Sequence, residues 1–142
     1  MLMPDVNVLV YASRLESERH ADYAAWLEDL VTGNQAYAMS DVVLAAHVRI
    51  VTNPRVFRHP DPLDYALRFA GRLREQPHCV MIQPGARHWA IFHDLCVHAQ
   101  AKGNLVADAY FAALAIESGC EWITADRDYA RFPGLRWRHP LT

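Results

Sequence analysis

The sequence predicts a single α/β domain in which a central parallel sheet of four to five strands is flanked by helices. The first observation is that short apolar runs alternate along the chain with segments of helical periodicity. The second is that each strand candidate is almost continuously apolar, a pattern typical of parallel strands covered by helices on both faces. The third is the length of 142 residues, uninterrupted by a repeat or a low-complexity segment, which suits one domain.

Two strands and two helices are predicted in the first third of the chain. Residues 2–5 form the first strand candidate, and residues 20–32 have the pattern of an amphipathic helix. Residues 36–39 form the second strand candidate. Ser40 is a suitable N-cap for a helix over residues 41–52, because its hydroxyl can accept a hydrogen bond from a free amide of the first turn.

The middle third is predicted to contain a helix, a strand and another helix. Asp61 and Pro62 have the character of a helix start, with a capping side chain followed by proline at the first helical position. The inner face of this helix is predicted to carry Leu63, Leu67 and Ala70. Residues 79–82 form the third strand candidate, and the helix after it is expected to end at Gly103. Its apolar stripe consists of Trp89, Phe92, Cys96 and Ala99.

The last third is predicted to contain one more helix and the remaining strands. Residues 106–118 form the helix, which is expected to end at Gly119. Residues 120–124 form the fourth strand candidate and residues 135–137 a possible fifth. In a parallel sheet the carboxyl ends of all strands open onto one edge, where ligands usually bind.

Composition excludes several classes of protein. The chain has no run of about 18 apolar residues that could cross a membrane and no basic segment before its first apolar run, so it is expected to be cytoplasmic. Its three cysteines are far apart and predict free thiols. The net charge of −2 argues against a protein that coats nucleic acid over its whole surface. It does not exclude a nuclease, because arginines are dense in the segments 49–58 and 127–138.

Aspartates stand where the predicted site should lie. Asp5 ends the first strand, Asp126 and Asp128 follow the fourth, and Asp108 lies near the start of a helix that is otherwise almost uncharged. Carboxylates held together repel one another unless a cation neutralises them. Hard oxygen ligands select Mg²⁺ or Mn²⁺, and such a site suits the hydrolysis of phosphodiester bonds.

Four segments resemble the PIN-domain proteins, and in particular the VapC-type toxins of bacterial toxin–antitoxin pairs. They occur in order and at suitable spacing along nearly the whole chain. They are DVNVLVYA (5–12), VLAAHVRIVTNPRVF (43–57), GNLVADA (103–109) and TADRDYARFPGLRW (124–137).

The resemblance implies a PIN fold and a Mg²⁺-dependent endoribonuclease that forms a homodimer and is inhibited by a cognate VapB-type antitoxin. Asp5 and Asp108 would be the main metal ligands, with Asp126 completing the acidic site and Asp128 near it. Two further residues are given supporting roles by the same resemblance. Thr124 would support Asp126 through a hydrogen bond, and Asn7 would orient a water molecule or Asp5.

One position departs from the family pattern. PIN proteins of this kind commonly place a glutamate in the helix after the second strand, and that position is Ala46 here. Asp41 and His47 point in other directions around a helix of 3.6 residues per turn, so neither replaces it. The site is therefore expected to have one carboxylate fewer, which leaves open whether it holds one metal ion or two.

Other functions compete with that of an endoribonuclease. A receiver domain and a dehalogenase-type phosphatase are disfavoured, since the only lysine is Lys102 and Asn7 stands where the phosphatase needs a second aspartate. A flap-type DNA nuclease stays open, because an acidic metal site does not distinguish DNA from RNA. So does a PIN-like domain that binds RNA or protein without cleavage, which Ala46 would suit.

Surface residues were also assigned from the pattern. His88, His93 and His98 recur every five residues and cannot form one metal-binding face, so they are expected at the surface or in an interface. Several aromatic side chains are expected to contribute to a dimer or antitoxin interface, among them Trp26, Tyr37, Phe57 and Trp89.

Overall fold

The computed structural model describes residues 1–142 and contains a five-stranded parallel sheet with the strand order β3-β2-β1-β4-β5. This architecture confirms the predicted fold class, including the fifth strand. The strands are β1 (Leu2–Pro4), β2 (Tyr37–Met39), β3 (Cys79–Met81), β4 (Glu121–Ile123) and β5 (Trp137–Arg138).

Six α-helices cover the sheet and one 3₁₀ helix follows β4. Helix α1 packs against α2 and α3, α3 packs against α4, and α5 packs against α6. None of these helices is long and apolar enough to span a membrane. Their bounds are α1 (Val6–Ser13), α2 (His20–Thr32), α3 (Asp41–Val51), α4 (Leu63–Arg74), α5 (His88–Ala99), α6 (Asn104–Ser118) and the 3₁₀ helix Arg127–Arg131.

The strand order reverses between β1 and β4. From β1 the chain passes outward through β2 and β3 on one side of the sheet, and then returns to add β4 and β5 on the other. Pro4 is paired with Ile123, and the amide of Asp5 donates to the carbonyl of Ile123 at 2.8 Å. Ligands of open parallel sheets bind at such a reversal, outside the carboxyl ends of the strands.

Helix α1 is the element that the sequence pattern does not predict. Its run of β-branched and large apolar residues lacks a polar face, and five of its eight residues are buried. Such a run is as compatible with a strand as with a fully buried helix. The helix forms because Asp5 caps it and because α2 and α3 cover it.

Several helix ends confirm the expected capping chemistry. The Ser40 hydroxyl accepts a hydrogen bond from the amide of Val42 at 3.2 Å, and α6 ends at Gly119 with φ at +71°. The prediction that α5 ends at Gly103 is wrong, because Gln100 in the left-handed conformation ends that helix. Gly103 instead precedes α6.

The prediction for the inner face of α4 is also partly wrong. Leu63 is 60% exposed and Leu67 is 53% exposed, whereas Ala66, Ala70 and Leu73 are buried. The helix begins one residue later than predicted, with Pro62 at the capping position. The face shifts because α4 packs on α3, a long-range contact that local periodicity does not contain.

Two of the residues assigned to the surface are buried. The side chain of His88 is shielded next to Tyr110, with Nε2 3.1 Å from the Tyr110 carbonyl oxygen, and the ring of Tyr37 lies in the core. His93, His98 and Trp89 are exposed as predicted. The three cysteines are free thiols.

Candidate active site

Asp5 lies directly after β1, where it is the N-cap of α1. Its Oδ1 accepts a hydrogen bond from the amide of Val6 at 2.6 Å, and only 4% of the residue is exposed. Burial raises the pKa of the Asp5 carboxyl to about 7, hydrogen bonds from Thr124 and Val6 oppose that rise, and the nearby Asp108 and Asp126 add to it. Keeping this carboxyl group ionised in the folded protein is therefore unfavourable in free energy, and a bound cation would offset that penalty.

Thr124 joins the carboxyl ends of β1 and β4. Its hydroxyl donates to Asp5 Oδ2 at 2.7 Å and accepts from the amide of Asp126 at 3.0 Å and from Asn7 Nδ2 at 3.2 Å. The carbonyl oxygen of the Asn7 side chain accepts from the amide of Ala125 at 3.2 Å. The Thr124 hydroxyl thus holds the main-chain amide of Asp126 and the side-chain carboxylate of Asp5. Asn7 acts on Asp5 by way of Thr124.

Asp108 reaches the same site from the second turn of α6. Its Oδ1 accepts a hydrogen bond from the hydroxyl of Tyr129 at 3.2 Å. Burial raises the pKa of Asp108, the Tyr129 hydrogen bond opposes this, and Asp126 and Asp128 raise it further. Tyr129 is itself buried between Trp122 and Phe132, so its hydroxyl is held in place.

Asp126 and Asp128 have different surroundings. Asp126 is the N-cap of the 3₁₀ helix, and its Oδ1 accepts from the amide of Asp128 at 2.9 Å. Asp128 is exposed and does not line the pocket that Asp126 lines. Its main-chain amide holds Asp126 Oδ1, and its negative charge raises the pKa of Asp108.

One open cleft, here called the acidic pocket, brings the three carboxylates together. Asp5, Asp108 and Asp126 line it together with Asn7. One wall of the cleft comes from α3 and the loop that follows it, and its residues are Ala46, Arg49, Ile50, Val56 and Phe57. The cleft therefore combines three carboxylates with one arginine and apolar side chains.

Ala46, at the position where the family pattern has a glutamate, lies in this wall. The next residue, His47, is fully buried away from the pocket, 3.1 Å from the Ser13 hydroxyl and stacked on Phe69. Asp41 is exposed and pairs with Arg74. Neither residue supplies the missing carboxylate.

The donor set of the acidic pocket fits a hard divalent cation. Oδ2 of Asp108 and Oδ2 of Asp126 accept no hydrogen bond from the protein, while their Oδ1 atoms are fixed by Tyr129 and Asp128. No three acidic, histidine or cysteine side chains converge closely enough to form a complete metal cage. Mg²⁺ does not need one, since it binds through one or two carboxylates and keeps several waters.

The sequence pattern indicates no role for Tyr129, and it assigns Phe57 to a protein interface rather than to the lining of the acidic pocket. Tyr129 follows Thr124 in one of the quoted segments, but nothing in the local pattern shows that its hydroxyl meets an aspartate 21 residues earlier. The sequence indicates Arg49 only as part of a basic segment, and its position in the pocket wall depends on how α3 packs.

The chain is similar to known proteins over nearly its whole length. Residues 2–135 match the PIN domain family. The chain is 45% identical over 141 residues to the VapC ribonuclease Mb2897 of Mycobacterium bovis, an alignment that covers 99% of this chain and 96% of that protein. It is 35% identical over 140 residues to ribonuclease VapC25 of Mycobacterium tuberculosis, with 99% of each chain covered.

Solved structures share the fold at lower identity. VapBC2 from Rickettsia felis, bound to a DNA fragment from its promoter, has a TM-score of 0.70 at 22% identity, with 97% of each chain covered. VapC20 of Mycobacterium tuberculosis, described as a Sarcin-Ricin loop cleaving toxin, has a TM-score of 0.66 at 16% identity. That similarity covers 96% of this chain and 99% of VapC20.

Proposed function

The chain belongs to the PIN-domain family and is a VapC-type ribonuclease, and we propose that it cleaves RNA internally, in the presence of Mg²⁺, at the acidic pocket. The observation that carries this proposal is the meeting of Asp5, Asp108 and Asp126 in one cleft. These aspartates come from three distant parts of the chain and lie where the strand order reverses. Carboxylates held this close together repel one another, so the cluster lowers the stability of the fold unless a cation neutralises it.

We assign the metal to Asp5, Asp108 and Asp126, with Mn²⁺ as a possible substitute for Mg²⁺. When bound, Mg²⁺ supplies positive charge that polarises the scissile phosphoryl group and makes a nearby water molecule more acidic. The family's metal dependence agrees with the chemistry of these oxygen donors. Thr124 and Tyr129 keep Asp5 and Asp108 in place through their hydroxyl groups.

In the proposed reaction, the oxygen of a water molecule forms a bond to phosphorus and one phosphoester bond breaks. The products are one chain end with a phosphate monoester and one with a free hydroxyl group. Arg49, which lines the same cleft as the carboxylates, would contact a phosphate group of the substrate. In this proposal the exposed Asp128 is not a metal ligand; its amide holds Asp126 Oδ1, and its side chain adds negative charge near the site.

We further propose that a VapB-type antitoxin binds and inhibits this protein, that the toxin is a homodimer, and that it acts on RNA in the cytoplasm. The similarity to toxin chains in VapBC complexes supports the antitoxin. A cell that makes such a nuclease needs a way to inhibit it.

The proposed activity is tested by incubating the purified protein with total bacterial RNA in Mg²⁺, in Mn²⁺ and in excess chelator. We expect new 5′ ends at a small number of positions in Mg²⁺ or Mn²⁺ and none in chelator, with a matched DNA oligonucleotide left intact. Cleavage that persists in chelator would contradict the metal assignment. Cleavage of DNA in place of RNA would point to the flap-type alternative, and binding without cleavage to a non-catalytic domain.

A further inference from the structure

Arg14 is a buried arginine just after α1, and all of its polar contacts are made within the protein. Only 7% of its side chain is exposed. Its Nη1 donates to Asp61 Oδ1 at 2.7 Å, Nη2 donates to the carbonyl of His59 at 2.9 Å, and Nε donates to Glu16 Oε1 at 2.8 Å. Its guanidinium carbon lies 4.1 Å from the centre of the Phe57 ring.

Three of these four contacts are made to one segment, residues 53–61, between α3 and α4. The segment has little regular structure of its own. A turn at its start is closed by bonds from the amides of Val56 and Phe57 to the carbonyl of Asn53, and its end is tied by the amide of Asp61 to the carbonyl of Val51 at 2.8 Å. Most of its side chains are exposed. Of the side chains in this segment, Phe57 packs against the hydrophobic core, and Arg14 contributes the most specific polar contacts.

The same segment forms part of the wall of the acidic pocket. Val56 and Phe57 line that pocket, and they also line a second cleft on the other side of the segment together with Arg58 and His59. An RNA strand that places a phosphate among the carboxylates would therefore run along this segment. Aromatic rings beside arginines suit single-stranded RNA, because bases stack on the ring and the guanidinium groups contact phosphates.

We propose that Arg14 is a positioning residue for RNA binding, which fixes segment 53–61 as the wall of the acidic pocket that contacts the substrate strand. The inference rests on the proposed ribonuclease function. Arg14 does not line the acidic pocket and so acts through Phe57, His59 and Asp61. Its planar guanidinium makes contacts in three directions, which a lysine ammonium cannot reproduce with the same geometry.

The test compares Arg14→Lys and Asp61→Asn with the unchanged protein. Arg14→Lys keeps the charge and loses the planar donor set, whereas Asp61→Asn keeps the shape and loses the charge of the acceptor. Arg74→Lys is the matched control, because Arg74 is also an arginine that donates hydrogen bonds to an aspartate, Asp41, and neither Arg74 nor Asp41 lines the pocket. Thermal melting of each protein establishes that it folds.

Two measurements are made on the folded variants. The first is steady-state cleavage of an RNA oligonucleotide that carries the strongest site found in total RNA. In both variants KM should rise by about five- to twentyfold while kcat changes less than about threefold, the pattern expected when substrate binding is lost and the chemical step is kept. The control should keep both constants.

The second measurement is the rate of tryptic cleavage after Arg55 and Arg58, identified by mass spectrometry. A loosened segment should be cut at least about tenfold faster in the Arg14 and Asp61 variants than in the control. A KM that stays unchanged in the two variants would overturn the proposal, whether or not kcat falls. An unchanged rate of tryptic cleavage in segment 53–61 would also overturn it. If the unchanged protein cleaves no RNA, the proposed function fails, and the protease result still decides whether Arg14 orders the segment.

Discussion

At the scale of single residues, the acidic pocket depends on groups that hold the carboxylates as much as on the carboxylates themselves. Asp5 is fixed by Val6 and Thr124, and Asp108 is fixed by Tyr129. The partners of metal ligands orient them and commonly account for 10–100-fold in metal affinity or activity.

Asp5→Asn should leave the fold intact and reduce RNA cleavage by about a hundredfold or more, since a ligand matters at least as much as its partners. The amide has the shape of the carboxylate and can still accept a hydrogen bond from Val6, but a neutral amide is a poor Mg²⁺ ligand. Cleavage rates and thermal melts check both parts, with the exposed Asp94→Asn as the control. A folded Asp5→Asn protein with full activity would remove Asp5 from the site.

Tyr129→Phe should lower activity by about tenfold while the protein stays folded, because Asp108 loses the donor that holds its Oδ1. The ring, which packs on Trp122 and Phe132, is kept. Tyr110→Phe serves as the control, since it removes a hydroxyl from a ring that packs on His88. Equal activities of the two variants would mean that the Tyr129 hydroxyl has only a structural role.

Ala46→Glu should add a carboxylate to the acidic pocket and tighten the binding of Mg²⁺ or Mn²⁺, so that activity at low metal rises. Without metal the added charge repels Asp5 and Asp108, so the melting temperature in chelator should fall. Calorimetric metal titration and melting of both proteins measure the two effects.

Ala45→Glu is the control for that change, because it adds the same charge to the exposed side of the same helix. Unchanged metal affinity together with an unchanged melt in chelator would mean that a side chain at position 46 does not reach the carboxylates.

At the scale of secondary-structure elements, the packing of α1, α3 and α4 contains a buried histidine. His47 of α3 lies between Ser13 of α1 and Phe69 of α4, and its Nδ1 has no hydrogen-bond partner. Burial among these uncharged neighbours lowers the pKa of His47 to about 4. The helices thus pack around a neutral imidazole.

The packing of these three helices should therefore weaken in acid. The pKa of His47 lies below its unfolded value of 6.5, so between those values the unfolded chain binds more protons than the folded one. The stabilising contribution is fully present above pH 6.5 and is lost as the pH falls toward 4, by at most about 1.4 kcal/mol for each pH unit.

Urea unfolding of the unchanged protein and of His47→Gln between pH 5 and pH 8 measures this contribution. The variant lacks the titrating group, so the difference in the free energy of unfolding between the two proteins should shrink as the pH falls. Parallel stability profiles would show that His47 is not the group responsible.

At the scale of the whole molecule, the surface keeps apolar side chains that one domain has not buried. Trp89 is 69% exposed and Val97 on the same helix is 65% exposed, while Trp26 and Phe57 are partly exposed. Of the aromatic residues assigned to interfaces, only Tyr37 is excluded by its complete burial. Exposed apolar area of this kind is typical of protein interfaces.

We expect a homodimer, measured by sedimentation velocity over a range of protein concentrations, and a stable complex when the protein is co-expressed with its cognate VapB-type antitoxin. Association buries apolar surface that the single chain leaves in water. A protein that stays monomeric at the highest concentration and captures no antitoxin would contradict the proposed place in a toxin–antitoxin pair.

Some features of this protein were determined by the sequence alone because they are local. Alternating apolar runs and helical patterns predicted the α/β class, and Ser40 and Gly119 marked helix ends correctly. The aspartates that follow β1 and β4 predicted a site at the carboxyl edge of the sheet, because parallel strands bring their ends together. The resemblance to PIN-domain proteins indicated Ala46 as the position in α3 where a glutamate is expected, and Ala46 lines the acidic pocket.

Other features were decided only by the tertiary structure. Whether α1 is a helix depends on its burial beneath α2 and α3, and the inner face of α4 depends on its packing against α3. The hydrogen bond from Tyr129 to Asp108 and the contacts of Arg14 with segment 53–61 join residues that are 21 to 47 positions apart. Hydrophobic pattern specifies that a face is buried but not what covers it, so contacts between distant polar groups become visible only when the chain is folded.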